Sequence, residues 1–362
     1  MIRQGTSAFA APPETAPAPP AIAGLAERAA GNKPAFAPLV DDFGRVHDYL
    51  RISVTDRCNL RCGYCMPPEG IDWKPRHRLL TFEEIERLTG LFAGMGVTKI
   101  RLTGGEPLVR QDIEQLIGRL AGLSGIRAVG LTTNGVLLAG RVHALRAAGV
   151  THLNISLDTL RPSRFAAITR RDCFSEVLAA VEASLSAGFQ RVKVNVVVMG
   201  GCNDDELLDF MDFIERRPVG LRFIEYMPFT GNGWNQATLV PYGRMRAIIE
   251  RRHRLVPVDG EPSAVAREFS VAGLAGTVGF ITSMTDDFCA TCSRLRLTAD
   301  GCVRPCLHDP AEVSLLEPLR SGAGDEELAA LIRAVLRRKP EKHAPAEQLI
   351  QVTSRAMIQI GG

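Results

Sequence analysis

A parallel α/β sheet curled into part of a barrel is the fold predicted by this 362-residue sequence. Three observations predict it. Short β-branched runs alternate with longer amphipathic runs from about residue 49 onward. Six strand–helix repeats can be counted, and right-handed crossovers would lay their strands side by side. The rhythm then breaks near residue 230 into Gly- and Pro-rich sequence. A closed barrel takes eight repeats, so the expectation is a partial (βα)6 TIM-type barrel over 41–230. A C-terminal α+β region, 231–362, would close its open side.

The strands expected are Tyr49–Val54, Val97–Leu102, Arg127–Thr132, His152–Leu157, Val192–Val198 and Leu221–Tyr226. The first helix opens on Thr81-Phe82-Glu83-Glu84, a capping box in which Thr81 and Glu84 satisfy orphan amide donors reciprocally. Further helices are expected near Gln111–Leu120, Leu137–Ala147, Ser175–Ala187 and Asp204–Glu215. Gly149 and Gly188 suit left-handed caps. Beyond residue 230 a few strands and a helix near Glu326–Arg338 are expected, and the chain ends on Gly361-Gly362.

The composition is 46% hydrophobic and 23% charged, that of a soluble globular protein. Lys and Arg total 43 against 40 Asp and Glu, too even for a generic nucleic-acid binder. Any anionic partner must be met by local placement of cations. No apolar run reaches the roughly 18 residues that would span a bilayer. The stretch 1–40 contains APPETAPAPPAIAGLAERAA and is expected to be a disordered extension. A transit peptide is the alternative, disfavoured by Glu14, Glu27 and few arginines. Nine cysteines, six of them in two tight clusters, read as reduced metal-binding thiols in the cytoplasm.

Cys58, Cys62 and Cys65 form C-x3-C-x2-C directly after the first strand. Three thiolates can hold three irons of a [4Fe–4S] cube and leave the fourth open. The alternative is zinc, which needs a fourth ligand, and His77 is only a distant candidate. In a parallel barrel the carboxyl ends of the strands face one mouth. Thr103-Gly104-Gly105-Glu106-Pro107 follows the second strand, Thr132-Thr133-Asn134-Gly135 ends the third, and Ser156 with Asp158 ends the fourth. Lys193 and Asn195 lie in the fifth, and Met227 follows the sixth. Polar and glycine-rich residues therefore collect at every exit. Each alone would pass for a turn or for strand-end packing.

Cys289-Ala290-Thr291-Cys292 and Cys306 make a second trio. Here structural zinc is the stronger rival, because Cys302 could serve as fourth ligand. Between the thiols comes Ser293-Arg294-Leu295-Arg296, whose alternation puts both guanidinium groups on one face of a strand. Paired forks of this kind suit phosphate oxygens.

The stretch DFGRVHDYLRISVTDRCNLRCGYCMP, with RLTGGEPL, TTNG, NISLD, RFIEYMP, DFCATCSRLRLTADG and the terminal GG, resembles the GTP 3′,8-cyclase family of the radical S-adenosylmethionine superfamily. The resemblance runs from about residue 38 to the end. It implies two [4Fe–4S] clusters, on Cys58, Cys62 and Cys65 and on Cys289, Cys292 and Cys306, with S-adenosylmethionine at the first. Tyr64, Gly105, Ser156 and Met227 would correspond to contacts with that cofactor. Arg51, Arg101, Thr132, Lys193, Arg294 and Arg296 would correspond to contacts with GTP. Arg294, Arg296, Gly361 and Gly362 would serve catalysis.

The implied reaction is 5′-deoxyadenosyl-radical abstraction of the ribose 3′ hydrogen, then ring closure to (8S)-3′,8-cyclo-7,8-dihydroguanosine 5′-triphosphate. That is the first step of molybdenum-cofactor synthesis. An external one-electron reductant would feed it, and cyclic pyranopterin monophosphate synthase would take the product. A monomer or homodimer is expected, with neither nucleic acid nor membrane as a partner. Two readings compete: a peptide-modifying radical enzyme with an auxiliary cluster, and a zinc-stapled nucleic-acid-binding protein. Cys302 and the long extension have no place in the resemblance. Cys173 and Cys202 are expected to be unligated.

Overall fold

All six strands expected from the repeats are present in the computed structural model, which describes residues 36–67, 69–352 and 355–361. They are β1 (Tyr49–Ser53), β2 (Lys99–Thr103), β3 (Ala128–Thr133), β4 (His152–Ser156), β5 (Arg191–Val198) and β6 (Gly220–Glu225). The C-terminal region adds β7 (Val256–Pro257), β8 (Arg267–Ser270), β9 (Thr277–Ile281), β10 (Arg294–Leu297), β11 (Cys302–Arg304) and β12 (Val313–Ser314). The sheet order is β12-β11-β10-β1-β2-β3-β4-β5-β6-β9-β8-β7. Neighbours from β10 through β9 are parallel. Those beyond them are antiparallel.

The barrel is therefore partial, as expected, and its C-terminal region, whose residues line the open side's cavity, also contributes strands. It lengthens the sheet at both edges, with β9 beside β6 and β10 beside β1. The boundary at residue 40 also moves. Leu39 is 1% exposed and its amide donates to the Met95 carbonyl, while the Phe36 amide donates to Gly94. These side chains close the end of the first helix, so the packed structure begins before residue 41. The rest of the expected extension, 1–35, lies outside the described residues.

Strand periodicity builds the site. Leu50, Ile52, Ile100, Leu102, Leu131, Leu153, Ile155, Val194 and Val196 point to the helical side and are almost wholly buried there. The intervening residues face the opposite way. In a parallel sheet covered on both faces those positions would also be apolar. Here they read Tyr49-Arg51-Ser53, Lys99-Arg101-Thr103, His152-Asn154-Ser156 and Lys193-Asn195. That face lines a cavity of about 1400 Å3.

Helices follow the expected pattern with local shifts. Helix Phe82–Gly94 carries the capping box: Glu84 N donates to Thr81 Oγ1 and Thr81 N to the Glu84 carboxylate. The helix expected over Asp204–Glu215 is only Leu207–Phe213. Its intended first turn is spent elsewhere. Asn203 Nδ2 donates to the carbonyls of Asp158 and Val197, and the Glu206 carboxylate accepts from Thr159 Oγ1 and Leu160 N. Helix Pro162–Thr169 was not expected; it is short, and Pro162 at its first position is its main signal.

Candidate active site

The loop leaving β1 carries Cys58, Cys62 and Cys65, all half-buried and all lining the cavity. Backbone bonds fix the loop. Arg61 N donates to Thr169 O at 2.9 Å and Gly63 N to Ile168 O at 3.1 Å. Leu60 N reaches Cys58 Sγ at 3.4 Å, and Asn134 Nδ2 reaches it at 3.7 Å. Burial, together with Asp158 and the neighbouring thiols, pushes Cys62 well up. Burial and the same groups push Cys65 to about 12. Protons held this way leave when a metal takes the sulfur.

Gly104 and Gly105 hold this loop from below. Gly105 N donates to Thr55 O and Glu106 N to Arg57 O, both at 2.8 Å. A Cβ on Gly105 would sit 2.3 Å from the Arg57 carbonyl oxygen, so only glycine allows this approach. The Glu106 carboxylate is fully buried and accepts from Leu108 N, Thr133 Oγ1 and Asn134 N. Burial outweighs those donors and raises it to about 7. It ties the β2 exit to the β3 exit. Opposite, Tyr64 Oη donates to Asp158 Oδ2 at 2.8 Å and Val197 N donates to the other oxygen. Burial raises Asp158 to about 6. Tyr64, Gly105, Ser156 and Met227 all line the cavity on this side.

The middle of the cavity is a wall of cations in strand register. Arg296 on β10, Arg51 on β1 and Arg101 on β2 stand opposite one another across three adjacent strands. The next position, on β3, is Gly130, and Arg101 lies over it: a Cβ there would be 2.6 Å from Arg101 Cζ. Arg101 Nε donates to Tyr49 Oη at 2.7 Å and Nη1 to Leu131 O at 3.1 Å. Burial would raise the Tyr49 hydroxyl, yet Arg101 and Arg51 override it and draw it down to about 8. Burial pushes Arg51 down to about 10, and Arg101 and Arg294 add to that shift.

Thr132 also lines the cavity, its Oγ1 buried and without a protein hydrogen bond. Lys193 and Arg222 both donate to Glu268 Oε1, at 2.7 and 2.8 Å. Although burial opposes it, that pairing holds Glu268 down to about 2. Lys99 and Arg222 escaped the sequence reading. The signal that finds them is strand alternation: each stands two residues from, or directly across from, an expected cation or amide.

The second trio meets the same cavity from the other end. Cys289 opens a one-turn 3-10 helix, Cys289–Thr291, and Cys292 leads into β10. Burial would raise the Cys292 thiol, but Arg294 and Lys339 outweigh it and bring it to about 6. Cys302 does not join this trio. It is buried on β11 with Arg355 Nη2 at 3.7 Å from its sulfur and Cys306 on the cavity side. The antiparallel β10–β11 turn aims it at the C-terminal segment, which removes the fourth zinc ligand considered above.

That segment is clamped by Arg355, which binds both oxygens of Asp300 at 3.1 Å and Glu312 at 2.7 Å. Ala356 and Ile358 then pack against Met66, Cys58 and Cys65. Gly361 adopts φ +73°, its carbonyl accepting from Arg296 Nη1 at 2.8 Å and Thr103 Oγ1 at 3.3 Å, two residues that line the cavity. A Cβ there would meet Thr103 Oγ1 at 2.6 Å. Gly362 lies outside the described residues. The terminal strip thus links the first cysteine loop to the arginine of the second half.

The donor chemistry fits iron–sulfur clusters. Both trios are soft thiols opening on one cavity, and among the described residues no three His, Cys, Asp or Glu side chains are close enough to share one metal ion. A cube needs one thiolate per iron, not three on one ion.

A partial parallel barrel with C-x3-C-x2-C on the first strand's exit loop defines a radical S-adenosylmethionine protein, and residues 52–214 match the Radical SAM superfamily model. Residues 219–345 match the model for Molybdenum Cofactor Synthesis C. The chain belongs to the GTP 3′,8-cyclase family. It is 48% identical over 332 residues to the mitochondrial GTP 3′,8-cyclase of Arabidopsis thaliana, covering 91% of this chain and 85% of that one. It is 50% identical over 329 residues to molybdenum cofactor biosynthesis protein 1 of Mus musculus, covering 91% of this chain and 52% of that one. The chain therefore spans about half the length of the mouse relative. The fold is similar to Streptococcus suis SuiB bound to S-adenosylmethionine, with a TM-score of 0.57 and 16% identity over 87% of this chain and 78% of that one.

Proposed function

We propose that the protein converts GTP to (8S)-3′,8-cyclo-7,8-dihydroguanosine 5′-triphosphate, the first step of molybdenum-cofactor synthesis. One observation supports this most: a single cavity of about 1400 Å3 carries both cysteine trios and, between them, the cation wall. Cys58, Cys62 and Cys65 would hold one cube, and Cys289, Cys292 and Cys306 a second. When bound, the first cube and S-adenosylmethionine supply a 5′-deoxyadenosyl radical that takes the ribose 3′ hydrogen.

The chain's own part is position and charge. Arg51, Arg101, Lys193, Arg294 and Arg296 would receive the triphosphate, with Thr132 offering its buried hydroxyl. Lys193 would exchange part of its pairing with Glu268 for phosphate. Tyr64, Gly105, Ser156 and Met227 would line the sulfonium cofactor. The terminal pair Gly361 and Gly362 would serve catalysis by threading toward the nucleotide, which their lack of side chains allows. Residues 41–230 would carry the first cluster's cysteines, and 231–362 those of the second cluster and the Gly-Gly tail.

An external one-electron reductant, hand-over to cyclic pyranopterin monophosphate synthase and a monomeric or homodimeric state complete the reading. Among the described residues no helix is long and apolar enough to cross a membrane. Nine cysteines, six of them in the two trios, suit the reducing cytoplasm.

The test is anaerobic turnover of GTP deuterated at C3′ with S-adenosylmethionine and dithionite. Deuterium should appear in 5′-deoxyadenosine alongside a cyclised nucleotide. Cofactor cleavage with GTP left intact would reject the assignment.

A further inference from the structure

Lys339 stands apart from the cations of the strand wall. It lies three residues beyond helix Asp325–Leu336 and is only 5% exposed. An ammonium has three N–H donors, and three acceptors lie within its reach. These are Cys292 Sγ at 3.4 Å, the Arg294 carbonyl at 2.9 Å and the Pro305 carbonyl at 2.8 Å. Its donors are thus all engaged by protein, and a phosphate could be served only by giving one up. Pro305 precedes Cys306, so Lys339 touches one thiol of the second trio and backs the peptide that delivers another.

The segment carrying this ammonium is itself fixed. Arg45 donates to the carbonyls of Pro340 at 2.8 Å and Glu341 at 2.7 Å, the residues directly after Lys339. The same guanidinium donates to the Cys289 carbonyl at 2.8 Å, the third thiol-bearing residue. Asp41 holds Arg45 through Nε at 2.6 Å. On the first trio the hydrogen bonds to sulfur come from neutral donors, Leu60 N and Asn134 Nδ2. The two sets of thiols therefore sit in different fields.

A buried cation bonded to a ligand sulfur favours the more negative, reduced state of an iron–sulfur cluster and raises its potential. We propose that Lys339 sets the reduction potential of the second cluster through Cys292, without binding the nucleotide. This rests on the reading that Cys289, Cys292 and Cys306 hold such a cluster.

The test uses full-length protein reconstituted anaerobically, with iron counting, EPR-monitored redox titration and GTP titration. Wild type should contain about eight irons; about four would overturn the second-cluster reading and this proposal together. K339M should shift the second cluster to a more negative midpoint, leave the first unmoved and keep GTP affinity within about twofold. K339R should stay near wild type. Where K339M fails to load the second cluster, K339Q, which keeps a donor but no charge, gives the same comparison. With about eight irons present, an unmoved midpoint in the uncharged variants, an equal shift in K339R or a matching loss of GTP binding would each overturn the assignment.

Discussion

Replacing Gly130 with alanine should weaken GTP binding while leaving the fold intact. The new Cβ would lie 2.6 Å from Arg101 Cζ and 2.7 Å from Nη2, where carbon contacts settle at about 3.5–4.0 Å. Relief requires the guanidinium to retreat by roughly 1 Å. The strands need not move, because the clash is with the end of a flexible side chain. The retreat breaks the bonds from Nε to Tyr49 Oη and from Nη1 to Leu131 O. Hydrogen bonds to a charged group contribute about 1.5–3 kcal/mol. Losing about one such contact from the positioned cation corresponds to roughly a 10- to 100-fold rise in the Kd for GTP. Calorimetric titration of GTP into anaerobic enzyme measures it, with a thermal melt as the control for folding. Arg101→Ala should cause a loss of similar size, and the double variant little more than either alone. Wild-type affinity in Gly130→Ala would refute the claim that Arg101, seated over this glycine, carries triphosphate.

Other perturbations separate the parts of the site. Gly361→Ala puts a Cβ 2.6 Å from Thr103 Oγ1 at a left-handed φ and should cut turnover about 10-fold or more while iron content holds, as read by rate and metal analysis. Arg355→Ala releases the segment from Asp300 and Glu312, so it should lower turnover in the same way without loss of either cluster. Arg294→Ala should raise the GTP Kd about 10-fold with both clusters assembled; unchanged affinity would contradict its assignment. Burial and Arg222 hold Lys193 down to about 8 despite Glu268. Phosphate needs the charged ammonium, so affinity should be full below that pH and decline as pH rises through it. Lys193→Arg should abolish that decline in a pH series of GTP titrations.

Much of this was legible in the sequence because the chemistry is local. The C-x3-C-x2-C loop, the Gly-Gly-Glu-Pro turn and β1 to β6 are contiguous patterns whose period or spacing states their role. β9 and β10 were harder: each is four or five residues long, β9 is reached from β6 only after a helix and two short antiparallel strands, and no helix joins β9 to β10. The loop that carries Cys289 and Cys292 connects β9 to β10 instead, so nothing nearby announces that β10 returns to lie beside β1. Tyr64 was legible through its motif, but its bond to Asp158 spans 94 residues. Lys339 and Arg355 had no local signal at all. Each sits past a helix end, and each gains meaning only from carbonyls, carboxylates or sulfur brought to it by distant strands. Gly105 illustrates a shared role, since the bare backbone that suits a cofactor is also what lets the turn pack on Arg57.

Iron and acid-labile sulfide measured on anaerobically prepared protein, beside a variant with Cys289, Cys292 and Cys306 changed to alanine, is the most direct check on the two-cluster cavity. The account predicts about eight irons in the parent and about four in the variant, with matching sulfide. Stoichiometric zinc bound in a closed four-ligand site, with no iron lost on removing the second trio, would contradict it.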